Sequence, residues 1–370
     1  MDAKAPKNVD NVNWDYIEEW KKPVNPLGEV DKDFQCVWIP YGLPEAIDPE
    51  HTKYGHGFQV QNKWKVPDKV MITQTITGAF YSKRGNPNHP ISKEEILEQS
   101  LAVADAGAPN IHIHVRGEDG HNILCPKTFH YVIDPVRKYY PDRIISACMV
   151  PFQKGEWAKM IECLQDGLMD ETPINTVAAF CGDTLFAKPP HVMIEKARIL
   201  SELNCKAQIA VYSDGDIDNA DRYLIKTGAL KPPYYWVILP NLPGGSPMQS
   251  PKAMVEVLMH YVNRIQEIDK DSEIVVCASG RAGTYLASFA MLLGLNIRIG
   301  MEDTVWQYPH KDDKIKKNLD TWYQFSQMAR LLGRDIYTAE EFKKKLGMVK
   351  PGGILRDART NQPVLQSMVR

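Results

Sequence analysis

From about residue 68 onward the chain alternates between two hydrophobic patterns. Short apolar runs rich in β-branched residues are followed by longer segments in which apolar residues recur every three or four positions. The first pattern predicts strands at VMITQTIT (70–77), NIHIHVR (110–116), RIISACMV (143–150), INTVAAF (174–180), KAQIAVYS (206–213), YYWVILP (234–240), SEIVVCAS (272–279) and NIRIGMED (296–303). The second predicts helices between them and a last one over KIKKNLDTWYQFSQMARLLG (314–333). Ser92 followed by Glu95 is a capping-box signature at the start of the first helix. Eight strand–helix repeats suit a (β/α)8 TIM barrel of the α/β class. A doubly wound open sheet is the competing architecture. Its phosphate-binding turn after the first strand carries GxGxxG, whereas this chain has TGAFYSKRGNPNHP there.

The flanks differ from this rhythm. Residues 1–66 carry Trp14, Trp20, Trp38 and Trp64 amid prolines and charges and show no period. They read as an extension that packs on the barrel or on a neighbouring subunit. Residues 67–345 form the expected catalytic barrel, and 346–370 an irregular tail.

Composition narrows the class. The chain of 370 residues is 44% hydrophobic and 24% charged, with a net charge of -2. That is an ordinary globular balance, without the global positive field that nucleic acid or an anionic membrane would demand. No apolar run approaches the ~20 residues of a membrane-spanning helix. The sequence MDAKAPKNVDNVNWDY lacks the apolar stretch of a secretory signal. The seven cysteines are scattered with no CxxC pair, which points to a reducing, cytoplasmic setting.

Strand alternation selects the chemistry. His112, His114 and Arg116 share one face of the second strand, and Arg298, Gly300 and Glu302 share one face of the eighth. Both neighbour the first strand, with Thr73, Thr75 and Thr77, in a closed barrel. Two imidazoles and a carboxylate make a 2-His-1-carboxylate set for a divalent metal, zinc first. Asp303 reads either as an acid/base or as a helix cap. A buried Arg298 needs a partner, either Asp303 or a substrate carboxylate. Arg281 could hold a carboxylate or phosphate or pair at the surface. Gly244 and Gly245 could let backbone approach a ligand, or could simply form a turn. Cys148, near the end of the third strand, is a candidate substrate contact and reads as core rather than nucleophile, since it has no assigned basic partner.

TITGAF with NPNHPIS, ADAGAPNIHIHVRGEDG, GRAG and NIRIGMED together resemble the β-keto acid cleavage enzymes, whose founding member is the 3-keto-5-aminohexanoate cleavage enzyme. The resemblance runs from about residue 68 to 345. It implies a (β/α)8 barrel, a homotetramer, and a divalent metal held by His112, His114 and Glu302. It implies an Arg298–Asp303 dyad that promotes proton removal, and a polar substrate contact at Thr176. The implied reaction converts a β-keto acid and acetyl-CoA into acetoacetate and an acyl-CoA, through enolate formation, Claisen-type attack and retro-Claisen cleavage. Two positions depart from the founding member: Phe80 replaces a Glu, and Cys148 replaces a Ser. Phe80 therefore favours a neutral or apolar substrate side chain over an amino-bearing one. The alternatives are a zinc-dependent aldolase, an amidohydrolase-like hydrolase and a non-catalytic acyl-CoA- or metal-binding protein. The hydrolase would need further inner histidines, but His121, His130, His191, His260 and His310 fall on predicted loops or helices.

Overall fold

Along every inner strand one set of side chains turns to a central axis and the other to a surrounding layer of helices, as the two-residue strand period requires. The computed structural model describes residues 63–181, 184–240 and 250–364. The chain begins with β1 (Lys69–Val70), β2 (Ile72–Thr75), α1 (Lys93–Asp105), β3 (Asn110–Ile113), α2 (Pro126–Tyr139) and β4 (Ile144–Ala147). Next come α3 (Glu156–Gln165), β5 (Glu171–Asn175), β6 (Ala178–Cys181), β7 (Thr184–Ala187), α4 (Pro190–Glu202) and β8 (Lys206–Val211). Then follow α5 (Asp214–Ala220), β9 (Tyr235–Ile238), α6 (Pro251–Ile268), β10 (Glu273–Val276), α7 (Ala282–Leu292) and β11 (Asn296–Gly300). The last described elements are α8 (Asn318–Leu331), β12 (Asp335–Ile336) and α9 (Ala339–Lys345).

Eight of these strands close a parallel barrel in the order β10-β11-β2-β3-β4-β5-β8-β9. The expected TIM barrel is therefore the observed fold. The outward set (Ile111, Ile113, Ile297 and Ile299 among others) is fully buried against the helices. Ser92 caps α1 with the expected reciprocal box to Glu95.

Three departures from the sequence pattern have physical causes. The fourth barrel strand is Glu171–Asn175, earlier than the expected 174–180. Its polar residues and Pro173 hide it, while the apolar run after it forms part of the antiparallel hairpin β6–β7. The helix expected between the fifth and sixth predicted strands becomes α5 followed by a widened helical turn at Asp221–Ile225. After α8, the helix α9 places Phe342 edge-on to Tyr235, with ring centroids 5.6 Å apart, and joins the barrel's inner apolar cluster. Lys69 and Lys345 tie strand starts to it by pairing with Glu341 and Glu273. The N-terminal end of the barrel is thus filled, which leaves the C-terminal ends of the strands as the open face.

The segment after α9 crosses the helix ends. Gly352 donates to the Leu203 carbonyl at 2.8 Å, Gly353 donates to that of Gln165 at 3.1 Å, and Leu355 is buried. Among the described residues no helix is long and apolar enough to cross a membrane. The aromatic extension before residue 63, and Gly244 and Gly245, lie outside the described residues.

Candidate active site

The register sets the site. Thr75 on β2 pairs with His112 on β3 and with Gly300 on β11, and His112 pairs with Ser146 on β4. His114 lies just past the end of β3, and Glu302 just past β11. Ligand atoms of His112, His114 and Glu302 lie within 4.8 Å of one another. His112 Nε2 is 3.5 Å from Glu302 Oε2, and His114 Nε2 is 3.2 Å from Glu302 Oε1.

The far nitrogen of each ring is held from behind. His112 Nδ1 is 2.7 Å from Ser146 Oγ, and His114 Nδ1 is 2.6 Å from Asn122 Oδ1. With Nδ1–H donating to these oxygens, both Nε2 atoms face the carboxylate, His112 Nε2 with its lone pair and His114 Nε2 with a proton directed at Glu302, in the orientation of ligating imidazoles. His112 Nε2 and Glu302 Oε2 are fully buried and have no hydrogen-bond partner. Buried polar atoms are rarely left so, and here they converge on one point with the donor chemistry of a divalent metal site. The residues present therefore fit a metal.

The charges follow from burial and neighbours. Burial holds His112 well below the ordinary imidazole range, despite Glu302. For His114, burial is outweighed by Glu302 and Cys148, which lift it to about 10. Burial opposes the charge of Glu302, but Arg298 and both histidines hold the carboxyl well below its usual range. The proton on His114 is the one a metal would displace.

Beside this cluster Arg298 binds two carboxylates. Its Nε donates to Asp303 Oδ2 at 3.1 Å and its Nη2 to Asp303 Oδ1 at 2.9 Å, and the same Nη2 donates to Glu302. Thr75 Oγ1 adds a 3.1 Å bond to Asp303 Oδ2. Asp303 is 4% exposed, and its carboxyl is raised by burial and by Glu302, with Arg298 restraining the rise. It caps no helix, since α8 begins beyond Lys317. A fixed, desolvated carboxylate of raised basicity next to a metal-type donor set can take a proton from a bound carbon acid.

Residues 69–348 match the family model described as beta-keto acid cleavage enzyme. The chain belongs to that family. It is 28% identical to the 3-keto-5-aminohexanoate cleavage enzyme of Acetoanaerobium sticklandii, over 296 residues covering 76% of this chain and 100% of the relative. It is 23% identical to the 3-oxoadipate:acetyl-CoA acetyltransferase of Cupriavidus necator, over 282 residues covering 75% and 94%. The solved apo structure of ObcA superimposes with a TM-score of 0.61 at 16% identity, over 71% of this chain and 66% of that one, which shows a shared fold.

In this beta-keto acid cleavage enzyme the other expected site residues separate. Cys148 lies against His114, so the thiol does have a basic partner, contrary to its reading as core. Phe80 is 59% exposed on the loop after β2. Arg116 clamps that loop, donating to the carbonyls of Gly78 (2.6 Å) and Tyr81 (3.0 Å), and ties it to the turn after β3 through the Gly120 carbonyl (2.9 Å). Thr176 is turned toward the helices, its hydroxyl donating to the Asp216 carbonyl at 2.8 Å. Asn175, one position earlier, takes the inward place instead and donates to Tyr212 Oη at 2.7 Å. Arg281 pairs with Asp312 and stacks 3.7 Å over the Trp306 ring.

Two residues escaped the pattern. Tyr81 brings its phenol near Asp303, and burial together with that carboxylate pushes it up to about 12. Gly78, at φ +63°, lies under Glu302: an added Cβ would collide with its side chain and sit 3.0 Å from its Cα. Only glycine suits both the left-handed backbone and this approach. Gly78→Ala is expected to cost about 1–3 kcal/mol of stability and to displace Glu302. Denaturant unfolding and metal titration of the same variant check both effects.

Proposed function

We propose that this enzyme is acetyl-CoA dependent, converting R-CO-CH2-COO⁻ and acetyl-CoA into acetoacetate and R-CO-S-CoA. The convergence of the unpartnered His112 Nε2 and Glu302 Oε2 beside the Arg298–Asp303 pair carries this reading. The names of the relatives, among them the 3-oxoadipate:acetyl-CoA acetyltransferase, support the co-substrate. His112, His114 and Glu302 would hold a divalent metal, zinc first given the two imidazoles. When bound, such an ion supplies Lewis-acid polarisation of the substrate's keto group.

The chain's own residues do the rest. Asp303 accepts the α-proton at a carboxylate oxygen. Arg298 keeps that carboxylate oriented by its two-point grip and offers positive charge where negative charge develops on the substrate. Thr75 fixes Asp303 from the neighbouring strand. Ser146 and Asn122 hold the two imidazoles in their ligating orientation. Phe80 and Cys148 border the substrate side chain. The same reading keeps residues 1–66 as an extension, 67–345 as the catalytic barrel and 346–370 as a tail. It takes the protein to be a cytoplasmic homotetramer, on the family resemblance and the scattered thiols.

The test is acyl-CoA formation with a panel of β-keto acids. Acetyl-CoA-dependent production of acetoacetate and a matching acyl-CoA is expected. Cleavage without CoA would instead indicate an aldolase. Within the panel, substrates lacking an ammonium should exceed 3-keto-5-aminohexanoate in kcat/KM, because a phenyl ring at position 80 offers no counter-charge. Phe80→Glu should shift that preference toward the amino substrate by roughly 1–3 kcal/mol. A wild-type preference for the amino substrate would remove Phe80 as the determinant.

A further inference from the structure

On the β4–β5 side of the site the barrel wall carries two ammonium groups with no carboxylate paired to them among the described residues. Lys188 follows β7, and its backbone N–H donates to the Val177 carbonyl at 2.9 Å, which returns the end of the hairpin to the rim above β5. Its side chain is half-buried. Among the described residues its ammonium has no ion pair, only the face of Phe186, 5.4 Å from the ring centroid. Lys196 on α4 is 5% exposed and donates to the carbonyls of Met149 (2.6 Å) and Pro173 (2.8 Å), so it has backbone partners but, among the described residues, no counter-ion. Both lysines line one small cavity with Asn175 and Trp157. Both are also in electrostatic reach of Cys148, which touches His114.

A desolvated ammonium without a counter-charge is costly. Lys196 is explained by its place, since it ties the ends of β4 and β5 together. Among the described residues the ammonium of Lys188 meets only the ring of Phe186. We infer that Lys188, backed by the positive charge of Lys196, forms an anion subsite for a carboxylate at the far end of the substrate side chain, so that the preferred substrates are β-keto dicarboxylates. This rests on the β-keto acid reading above and deepens it. The geometry suits the substrate better than CoA: the inward Asn175 lines the cavity, and Cys148, in electrostatic reach of both lysines, touches His114, whereas the phosphates of CoA lie a long pantetheine arm away from the reacting thioester. It also agrees with Phe80, which withholds the carboxylate that an ammonium-bearing substrate would need.

The experiment compares a six-carbon β-keto dicarboxylate with its distal monomethyl ester, which keeps the shape and removes the charge. Wild-type enzyme should favour the free acid in kcat/KM by roughly tenfold or more. In Lys188→Met that ratio should fall to about one, and Lys188→Arg should restore much of it. The wild-type comparison needs no variant, so a misfolded Lys188→Met leaves the proposal open to refutation. A wild-type ratio near one, an unchanged ratio in Lys188→Met, or a rise in the KM for acetyl-CoA in place of a changed ratio would each overturn the subsite. If neither compound is cleaved while an uncharged β-keto acid is, the subsite is wrong and the reaction stands. If no β-keto acid gives acyl-CoA, the reaction itself is wrong.

Discussion

A His112→Ala, His114→Ala double variant is expected to lose tight binding of a divalent metal, with affinity falling by well over ~10²-fold, because it removes both neutral nitrogen ligands. Glu302 alone cannot replace them, as Arg298 already engages one of its oxygens. The barrel should survive. The two imidazoles sit at the open end of the strands, while the apolar layer against the helices and the inner cluster closed by Phe342 are untouched. The measurement is metal content after dialysis together with circular dichroism on the same sample. Stoichiometric metal in a folded double variant would refute the ligand set.

Asp303→Asn should separate binding from chemistry. The side chain keeps its shape, so the neighbouring His112, His114 and Glu302 should still take up metal. It loses its basicity, and turnover should fall by about 10² or more. The amide nitrogen must also face the guanidinium of Arg298 in either orientation, since Arg298 donates to both oxygens of the native carboxylate. Some loss of Arg298 orientation therefore accompanies the lost base, and the two effects act in the same direction. Metal content near wild type with a collapsed kcat is the expected combination. Near-normal kcat would reduce Asp303 to a buried counter-ion for Arg298.

The metal-type cluster was legible because it obeys a local rule. His112 and His114 lie two residues apart on a strand, and alternation puts them on one face wherever that strand goes. Arg298 and the outward isoleucines follow the same rule on β11. The fourth strand lies at Glu171–Asn175 and not at 174–180, and Thr176, given as a substrate contact by the family resemblance alone, turns to the Asp216 carbonyl while Asn175 takes the inward place. One residue of slip exchanges the two faces of a strand. Glu302 and Asp303 lie past the end of β11, so their directions come from the turn after Gly300 and from the grip of Arg298.

The sequence by itself determined the eight-fold alternation, hence the barrel, and the inward placement of the paired histidines and of Arg298, because these depend only on periods of two and of three to four residues. Its motifs also carried the family. Tertiary structure alone decided which loop residues meet the site. Gly78 approaches Glu302, Tyr81 reaches Asp303, Cys148 meets His114, and the hairpin β6–β7 returns Lys188 to the rim. The first three pairs are separated by dozens to hundreds of positions along the chain. No local period encodes them, and only closure of the barrel brings them within hydrogen-bond and Coulomb range.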